Sequence, residues 1–430
     1  MKKIALISLG CVKNTVDSEA ILALFKEPDF KIVTDLKESD VIIINTCGFI
    51  YSAKVEGINT ILDTLKYGKE VVVVGCLVER YYDELKESIP EVKLWVKFKD
   101  EYKFLPSMIQ NLFDDEKVVS KFDIFDRVEE NNTYSTYLKI SEGCDNFCAF
   151  CAIPFIRGRF VSYPVEDIVN YAKKAALRGT KELVLIGQDP TSYGKDFKYQ
   201  NINLVTLLKE LDKIDGIIKI RLLYLYPDGI TDELIEFIKT HKKMSHYFDI
   251  PIQHCSSKIL KLMNRRDDKK KTCEVFNKIK KEIPDAILRT TLIVGFPGET
   301  IREFNELKDF ITKYQFNHLG CFTYSREEKT RAYSLPHQVR ESTKVKRKTE
   351  IMKIQAKISY ELNKKLIGRT FDAIISSINK NDYSVRCDYN APDDIDGNVL
   401  LKTDKQHIVG DLVKIKITHA FVYDLIAEEI

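Results

Sequence analysis

Residues 144–151 read CDNFCAFC, which places three cysteines at Cys144, Cys148 and Cys151 with the spacing Cys-x3-Cys-x2-Cys. Three thiolates on one short loop can hold three corners of an iron–sulfur cube and leave the fourth iron without a protein ligand. A structural zinc site usually has four ligands in two pairs, and the nearest downstream histidine, His241, is too distant in sequence to complete one. The spacing therefore predicts a reactive iron–sulfur cluster.

The chain around this loop alternates strands with helices six times. Apolar runs about 30–40 residues apart, the length of a βα unit, predict strands at 137–140, 182–187, 218–224, 246–250, 288–295 and 318–324. Six such units favour an open, partial barrel over a closed eight-fold one. The cysteine loop follows the first strand, and so lies at the carboxyl-end face, where barrels keep their active sites.

The first hundred residues predict a separate doubly wound α/β domain. Apolar runs rich in β-branched residues at 3–9, 41–45 and 71–75 alternate with helical patterns near 17–25, 53–65 and 79–87. Continuous apolar strands between helices are typical of a parallel sheet that is covered on both faces.

Each of these three strands ends within a residue or two of a cysteine, namely Cys11, Cys47 and Cys76. In open α/β sheets ligands bind outside the carboxyl ends of the strands, so three loops would present thiols to the same side. The alternative is that these cysteines pack as small buried apolar residues, which is common. The repetition at all three strands favours a second metal or cluster site.

Composition excludes some other classes of protein. The net charge of +3 gives no general preference for nucleic acid, and ten cysteines among 430 residues are too few for a disulfide scaffold. No apolar run is long enough to span a bilayer. The start of the chain, Lys2-Lys3 followed by 4–9 and Gly10-Cys11, faintly imitates a lipoprotein signal, but its apolar stretch is too short. We expect a cytoplasmic protein.

The C-terminal part predicts a long helix and a small all-β barrel. Residues 342–365 are rich in lysine and carry Ile351, Ile354, Ile358 and Leu362 on one face, which indicates a packing stripe and a solvated lysine face. Strand patterns at 371–378, 383–388, 398–402 and 412–425 follow. Residues 366–430 contain 7 basic and 11 acidic residues, a net charge of −4, with Asp393, Asp394 and Asp396 clustered. This favours a basic protein partner over a phosphate backbone.

These patterns give predicted domain boundaries. The N-terminal α/β domain spans 1–107, a polar connector 108–135, the barrel 136–341, the lysine-rich helix 342–365 and the C-terminal β-barrel 366–430. The connector contains the acidic stretches Asp114-Asp115-Glu116 and 129–132, and it is expected to carry a strand or two.

The cysteine motif on the first βα loop of a barrel resembles the radical S-adenosylmethionine (SAM) superfamily. The resemblance implies that Cys144, Cys148 and Cys151 bind a 4Fe–4S cluster whose open iron is chelated by SAM. Phe150 matches the aromatic residue that lies near the adenine in that superfamily. A cluster of low potential can pass one electron to a sulfonium placed against it, and the protein supplies the positioning.

The remaining motifs narrow the resemblance to the methylthiotransferase family. They are the stretches 8–14 with 17–19, 45–50 and 75–77, the order of the three domains, and a terminal barrel of TRAM type. The family resemblance implies a second 4Fe–4S cluster on Cys11, Cys47 and Cys76, whose open iron holds the sulfur to be inserted. Lys13-Asn14, the stretch 45–50, 249–254 and 324–328 resemble its RimO branch.

That branch methylthiolates the β-carbon of an aspartate in small-subunit ribosomal protein S-twelve. One SAM methylates sulfur at the N-terminal cluster, and another yields a 5′-deoxyadenosyl radical that abstracts hydrogen from the substrate. An electron donor such as flavodoxin or ferredoxin is implied. Two alternatives remain: methylthiolation of a tRNA adenosine, which the acidic C-terminal barrel disfavours, and a non-catalytic iron–sulfur or zinc protein, which would need neither SAM nor the barrel.

Several other residues have competing interpretations. Gly295, in the stretch 295–299, either forms a tight turn or borders SAM, and Gln188 with Asp189 could contact the methionine part of SAM. His254-Cys255 is not expected to act as a nucleophile pair, because adjacent residues on an extended chain point in opposite directions. Cys273, Cys321 and Cys387 are predicted to pack. Residues 161–163 and Lys329 depart from the usual family pattern, which bears on how the substrate is gripped.

Overall fold

The structure is a computed structural model. It describes residues 1–25, 29–98, 105–111, 122–129, 134–198, 201–379, 382–392 and 395–430. Much of the predicted connector, including Asp114-Asp115-Glu116 and 130–132, lies outside these ranges, as do Asp393 and Asp394. The predicted domain boundaries stay predictions.

The N-terminal domain is a five-stranded parallel sheet. Its strands are β1 (Lys2–Ser8), β2 (Phe30–Ile32), β3 (Val41–Thr46), β4 (Glu70–Gly75) and β5 (Leu94–Val96), in the order β2-β1-β3-β4-β5. Its helices are α1 (Val12–Leu22), α2 (Tyr51–Leu65), α3 (Cys76–Ser88) and α4 (Leu105–Gln110). Ile21 packs on one face of the sheet and Ile61 with Leu85 on the other, so both faces are covered as predicted.

The central domain is an open sheet of six parallel strands. In chain order its elements are β6 (Ser135–Lys139), β7 (Ser141–Glu142), α5 (Ile153–Ile156), β8 (Val161–Ser162), α6 (Val165–Leu177), β9 (Glu182–Ile186), α7 (Leu204–Asp212), β10 (Lys219–Leu222), α8 (Asp232–Thr240), β11 (Met244–Asp249), α9 (Ser257–Leu262), α10 (Lys269–Glu282), β12 (Ile287–Val294), α11 (Ile301–Tyr314) and β13 (His318–Thr323). The large sheet runs β13-β12-β11-β10-β9-β6, and β7 pairs with β8 apart from it. The predicted partial barrel of six βα units is confirmed.

A long helix, α12 (Glu341–Lys364), packs along the barrel and leads into the C-terminal domain. Ile351 and Ile358 of the predicted stripe are buried. The expectation that all the lysines face solvent is wrong for Lys344, which is buried and donates to the carbonyl oxygen of Tyr324 at 2.9 Å.

The C-terminal domain is a closed five-stranded barrel. It consists of β14 (Thr370–Asn379), β15 (Asp382–Arg386), β16 (Val399–Lys402), β17 (Leu412–Ala420) and β18 (Leu425–Glu429), in the order β14-β15-β16-β18-β17. The prediction of one strand over 412–425 is wrong, because a tight turn closed by the Phe421 N–H to the carbonyl oxygen of Asp424 (2.8 Å) separates β17 from an antiparallel β18.

The C-terminal barrel docks where the strands of the central barrel begin. Asp396 accepts from Arg289 at 3.0 Å and from the Tyr247 hydroxyl at 2.5 Å. Arg221 donates to the carbonyl oxygen of Cys387 at 2.8 Å. The carboxyl ends of the strands, at the opposite face, remain available for the N-terminal domain. Among the helices that the structure describes, none is long and apolar enough to cross a membrane.

Candidate active site

One cavity of about 320 Å³ is lined by all six cysteines of the two predicted sites. It lies between the edge of the N-terminal sheet and the carboxyl ends of the central strands. The loops after β9, β10 and β11 contribute Gln188, Tyr224, Tyr226 and Gln253 to its wall. Two sites predicted from separate parts of the sequence therefore share one cavity.

The N-terminal thiols meet because three parallel strands end side by side. Cys11 follows β1, Cys47 follows β3, and Cys76 begins α3 directly after β4. A Cβ atom at Gly10 would lie 2.6 Å from the Cβ of Cys47, and one at Gly75 would lie 2.5 Å from the carbonyl oxygen of Thr46. Glycine beside these cysteines thus permits the close approach of the loops.

A buried polar network connects this group of thiols to the central barrel. The guanidinium of Arg157, which follows α5, donates to the Cys76 Sγ at 3.3 Å and to the Asn14 Oδ1 at 2.6 Å. It also pairs with Asp17 at 2.5 Å, and Lys139 of β6 pairs with the other oxygen of Asp17 at 2.7 Å. Two cations of the barrel therefore hold α1 of the N-terminal domain.

The surroundings of the three N-terminal cysteines shift their pKa values in different directions. Burial raises the pKa of Cys47 to about 11. Burial also raises the pKa of Cys76, although Arg157 opposes the shift. For Cys11, desolvation within the cavity raises the pKa, but the Lys13 ammonium, the Asn14 N–H and Arg157 outweigh it, so that the pKa lies below its ordinary value.

The second group of thiols lies on the loop between β7 and α5. The Asn146 amide donates to Asp189 at 2.8 Å, and the Ala149 N–H donates to the carbonyl oxygen of Met263 at 2.7 Å. These bonds tie the loop to two other parts of the barrel. Burial raises the pKa of Cys144 to about 12 and raises that of Cys151 as well.

Tyr226 and Arg265 complete the wall beside Cys148. The Tyr226 hydroxyl lies 3.4 Å from the Cys148 Sγ, and the Arg265 guanidinium lies 4.1 Å from the centroid of the Tyr226 ring. Arg265 also pairs with the buried Asp267 at 3.0 Å. A thiolate at Cys148 would thus face a hydroxyl donor and a cation.

The two groups of thiols have the donors that iron–sulfur clusters use, three sulfurs in each group. Within the described parts of the chain, no three His, Cys, Asp or Glu side chains form a group that could hold a single metal ion. A cluster has no such requirement, because each thiolate binds a different iron of the cube. The cysteines are the residues that could hold clusters here.

The predicted SAM contacts lie in different places. Phe150 and Gln188 line the cavity, and the Gln188 amide donates to Glu142 at 2.7 Å. Gly295 is not among the lining residues; a Cβ there would lie 2.3 Å from the Cγ of Lys344. The role of Gly295 therefore stays a prediction, and its observed contact is with α12.

The sequence analysis assigned no role to Arg157, Tyr226 or Arg265, and it included Gln253 only as part of the stretch 249–254. Each comes from a different loop, and no short-range spacing connects it with the cysteines. The only local indication is that Tyr226 and Gln253 closely follow predicted strands whose carboxyl ends form the active face.

Family models match three parts of the chain. The Radical SAM superfamily matches residues 138–311, the TRAM domain residues 367–430, and Uncharacterized protein family UPF0004 residues 3–97. Together these matches cover most of the N-terminal, central and C-terminal domains.

Curated relatives match the chain over its whole length. It is 45% identical to ribosomal protein uS12 methylthiotransferase RimO of Clostridioides difficile, covering 100% of this chain and 99% of that protein. Identity to the protein of the same name from Thermoanaerobacter sp. is 43%, with both chains fully covered. Among solved structures, the radical S-adenosylmethionine methyltransferase TsrM from Kitasatospora setae, with cobalamin and a [4Fe-4S] cluster bound, aligns with a TM-score of 0.58. That match covers 89% of this chain and 80% of TsrM at 13% identity, so it concerns the fold alone.

Proposed function

The chain belongs to the RimO family of ribosomal protein uS12 methylthiotransferases, and from this premise we propose that it inserts a methylthio group at the β-carbon of an aspartate in uS12, the S-twelve protein of the small subunit. It is an enzyme of the radical SAM type. The observation that carries the proposal is the single cavity lined by both groups of cysteines. One site must prepare the sulfur and the other must activate the carbon, so the two have to share a space.

The cofactors of the proposal are two 4Fe–4S clusters and SAM. When bound, they supply a methylated sulfur and a 5′-deoxyadenosyl radical able to abstract hydrogen from an unactivated carbon. Cys144, Cys148 and Cys151 would hold the cluster that faces SAM. The trio of Cys11, Cys47 and Cys76 would hold the other, and Arg157 would keep the Cys76 sulfur oriented through its 3.3 Å contact.

Three residues are proposed to contact SAM, with different support. Phe150 offers an aromatic face to the cavity. Gln188 has a buried side-chain oxygen with no hydrogen-bond partner in the described structure, so it can accept from a donor of the ligand. Gly295 rests on the family resemblance.

Charge supports a protein substrate. The C-terminal domain carries a net charge of −4 over residues 366–430, which suits a basic ribosomal protein and opposes a nucleic-acid backbone. Methylthiolation of a tRNA adenosine is the alternative. The electron donor would be a flavodoxin or a ferredoxin, and the site of action the cytoplasm, where ribosomes are found.

The test uses protein reconstituted without oxygen. Iron and sulfide analysis should give about eight irons per chain, four for each cube. Incubation with SAM, reductant and uS12 should raise the mass of one aspartate by about 46 Da. Fewer than about six irons, or product on tRNA in place of uS12, would contradict the proposal.

A further inference from the structure

The wall of the cavity is cationic. Its charged lining residues are Lys13, Arg157 and Arg265, and none of the residues found to line it is an aspartate or a glutamate. A wall of this kind attracts anions, and it leaves each cation to be neutralised either by residues outside the wall or by what binds within it.

Two of the three cations are already engaged by carboxylates behind the wall. Arg157 pairs with Asp17 at 2.5 Å, and Arg265 pairs with Asp267 at 3.0 Å. Both guanidiniums also lie beside thiols, Arg157 at Cys76 and Arg265 near Cys148. Their charges are thus assigned to the cysteine sites.

Lys13 also lies near a thiol, since its charge lowers the pKa of Cys11, but unlike the two guanidiniums it pairs with no carboxylate of the described residues. It is the second residue of α1, it is partly buried, and its ammonium lies 3.7 Å from the centroid of the Tyr224 ring. Among the described residues, this ammonium contacts the Tyr224 ring and interacts electrostatically with Cys11, and no hydrogen bond or ion pair to it is found. The first turn of a helix disfavours a cation, so the position does not serve the stability of α1.

The backbone of Tyr224, whose ring lies beneath Lys13, has a strained conformation. Tyr224 has a φ of 64°, which is rare for a residue with a side chain. Its N–H donates to the carboxylate of Asp249 at 3.0 Å, and Asp249 is fixed by Arg289 at 2.8 Å. Strain of this kind persists where the surrounding structure holds it, commonly at functional sites.

We propose that Lys13 binds the carboxylate of the substrate aspartate, an inference that rests on the proposed function. Lys13 lies two residues after Cys11, so a carboxylate at its ammonium would bring the neighbouring β-carbon beside the group of thiols proposed to carry the sulfur. An adenosine has no carboxylate to offer. Lys13 is therefore a specificity-determining residue that selects an acidic side chain over a neutral one.

The test compares two peptides of uS12, one with the target aspartate and one with asparagine in its place. Fluorescence anisotropy with labelled peptide measures binding to the reconstituted enzyme in the presence of SAM and without reductant, so that no turnover occurs. The wild-type enzyme should bind the aspartate peptide about 10- to 100-fold more tightly, the range for hydrogen bonds to charged groups. Lys13→Met should bind both peptides alike, and Lys13→Arg should keep the preference.

Lys54 provides a matched control. It is a partly buried lysine of the same domain, its ammonium lies 3.8 Å from the centroid of the Tyr81 ring, and it is not among the residues lining the cavity. Lys54→Met should keep the full preference for aspartate.

Four results would overturn the inference. A preference for aspartate that survives in Lys13→Met would show that another group reads the carboxylate. A loss of iron in Lys13→Met would assign Lys13 to the cluster, and weaker SAM binding by that variant would assign it to the carboxylate of SAM. If the wild-type enzyme forms no methylthio product on uS12, the proposed function itself fails, a result separate from the other three.

Discussion

Cys148 and Cys47 belong to different groups of thiols in one cavity, so their replacement should separate two activities. Cys148→Ala should end reductive cleavage of SAM. Cys47→Ala should leave 5′-deoxyadenosine formation intact while methylthio transfer stops, because the loop of Cys144, Cys148 and Cys151 is unchanged. Chromatography of 5′-deoxyadenosine beside mass spectrometry of uS12 measures both. Cys273→Ala, outside the cavity, is the control, and equal loss of cleavage in both test variants would contradict this division.

Gly75 lets β4 end against β3 just before Cys76. It has a φ of 101°, and an added Cβ would meet the carbonyl oxygen of Thr46 at 2.5 Å. Gly75→Ala should therefore displace Cys76 and reduce the iron content from about eight to about four per chain. Gly68→Ala is the control, since Gly68 also has a positive φ of 65° but open space around it. Iron loss in both variants would attribute the effect to general instability.

At the level of single residues, the sequence predicts positions that share a local pattern. The three barrel cysteines follow from their spacing, and the N-terminal trio follows from the ends of three predicted strands. Arg157 and Arg265 could not be placed in this way, because their contacts with the thiols depend on how separate loops and domains pack. Lys344 was misjudged for the same reason, since its burial depends on the space beside Gly295.

At the level of elements, α2 and α3 are fixed to the loop after β13 by a buried ion pair. Arg80 of α3 lies 3.3 Å from Glu327 and also donates to the carbonyl oxygens of Gly48 and Glu328. Glu327 accepts from the N–H of Tyr51, the first residue of α2, at 2.8 Å. These contacts hold the loop of Cys47 and the start of α3 against the barrel.

Glu327→Gln should weaken this contact between the two domains, because it leaves the Arg80 charge buried without its carboxylate partner. Breaking a buried pair costs about 3 kcal/mol, so amide hydrogen exchange in residues 48–51 should accelerate about 100-fold. Glu328→Gln is the control, since its exposed side chain takes no part in the contact with Arg80. Unchanged exchange in Glu327→Gln would show that other contacts hold the two domains together.

Strands with continuous runs of β-branched residues were predictable from the sequence. Very short strands, and strands joined by a turn without glycine or proline, were not. The three-residue edge strands β2 and β5 are too short to show a period. The strands β17 and β18 merged into one prediction because their turn, Phe421-Val422-Tyr423-Asp424, contains no glycine or proline and is mostly apolar. They form two strands because each pairs with other strands of the closed barrel, and these long-range pairings are not visible in the local sequence.

At the level of the whole molecule, the two outer domains occupy opposite faces of the central barrel. The N-terminal domain covers the carboxyl ends of the strands and lines one side of the cavity, while the C-terminal barrel docks where the strands begin. Asp396 anchors this second interface through Arg289 and Tyr247. The order of domains was predictable, but their placement was not, since it depends on charged residues far apart in the chain.

Asp396→Ala should release the C-terminal barrel, because it removes the carboxylate that accepts hydrogen bonds from Arg289 and Tyr247 across this interface, at a cost of about 1–3 kcal/mol. Limited proteolysis should then cleave near residues 366–370 faster than in the wild type. Asp404→Ala, an exposed aspartate of the same barrel, should leave the rate unchanged.

The interface should also show a defined response to pH. Burial by itself would raise the pKa of the Asp396 carboxyl. The interactions with His318 and Arg289 lower it by more, so the pKa of Asp396 lies below its ordinary value. A carboxyl group with a lowered pKa contributes its full stabilisation above its unfolded pKa of about 3.9, and loses it only as the pH falls through the lower folded value. Proteolysis of the wild-type interface should therefore proceed equally at pH 7 and pH 5 once protease activity is corrected for. Faster release at pH 5 would indicate that a histidine such as His318, not Asp396, controls docking.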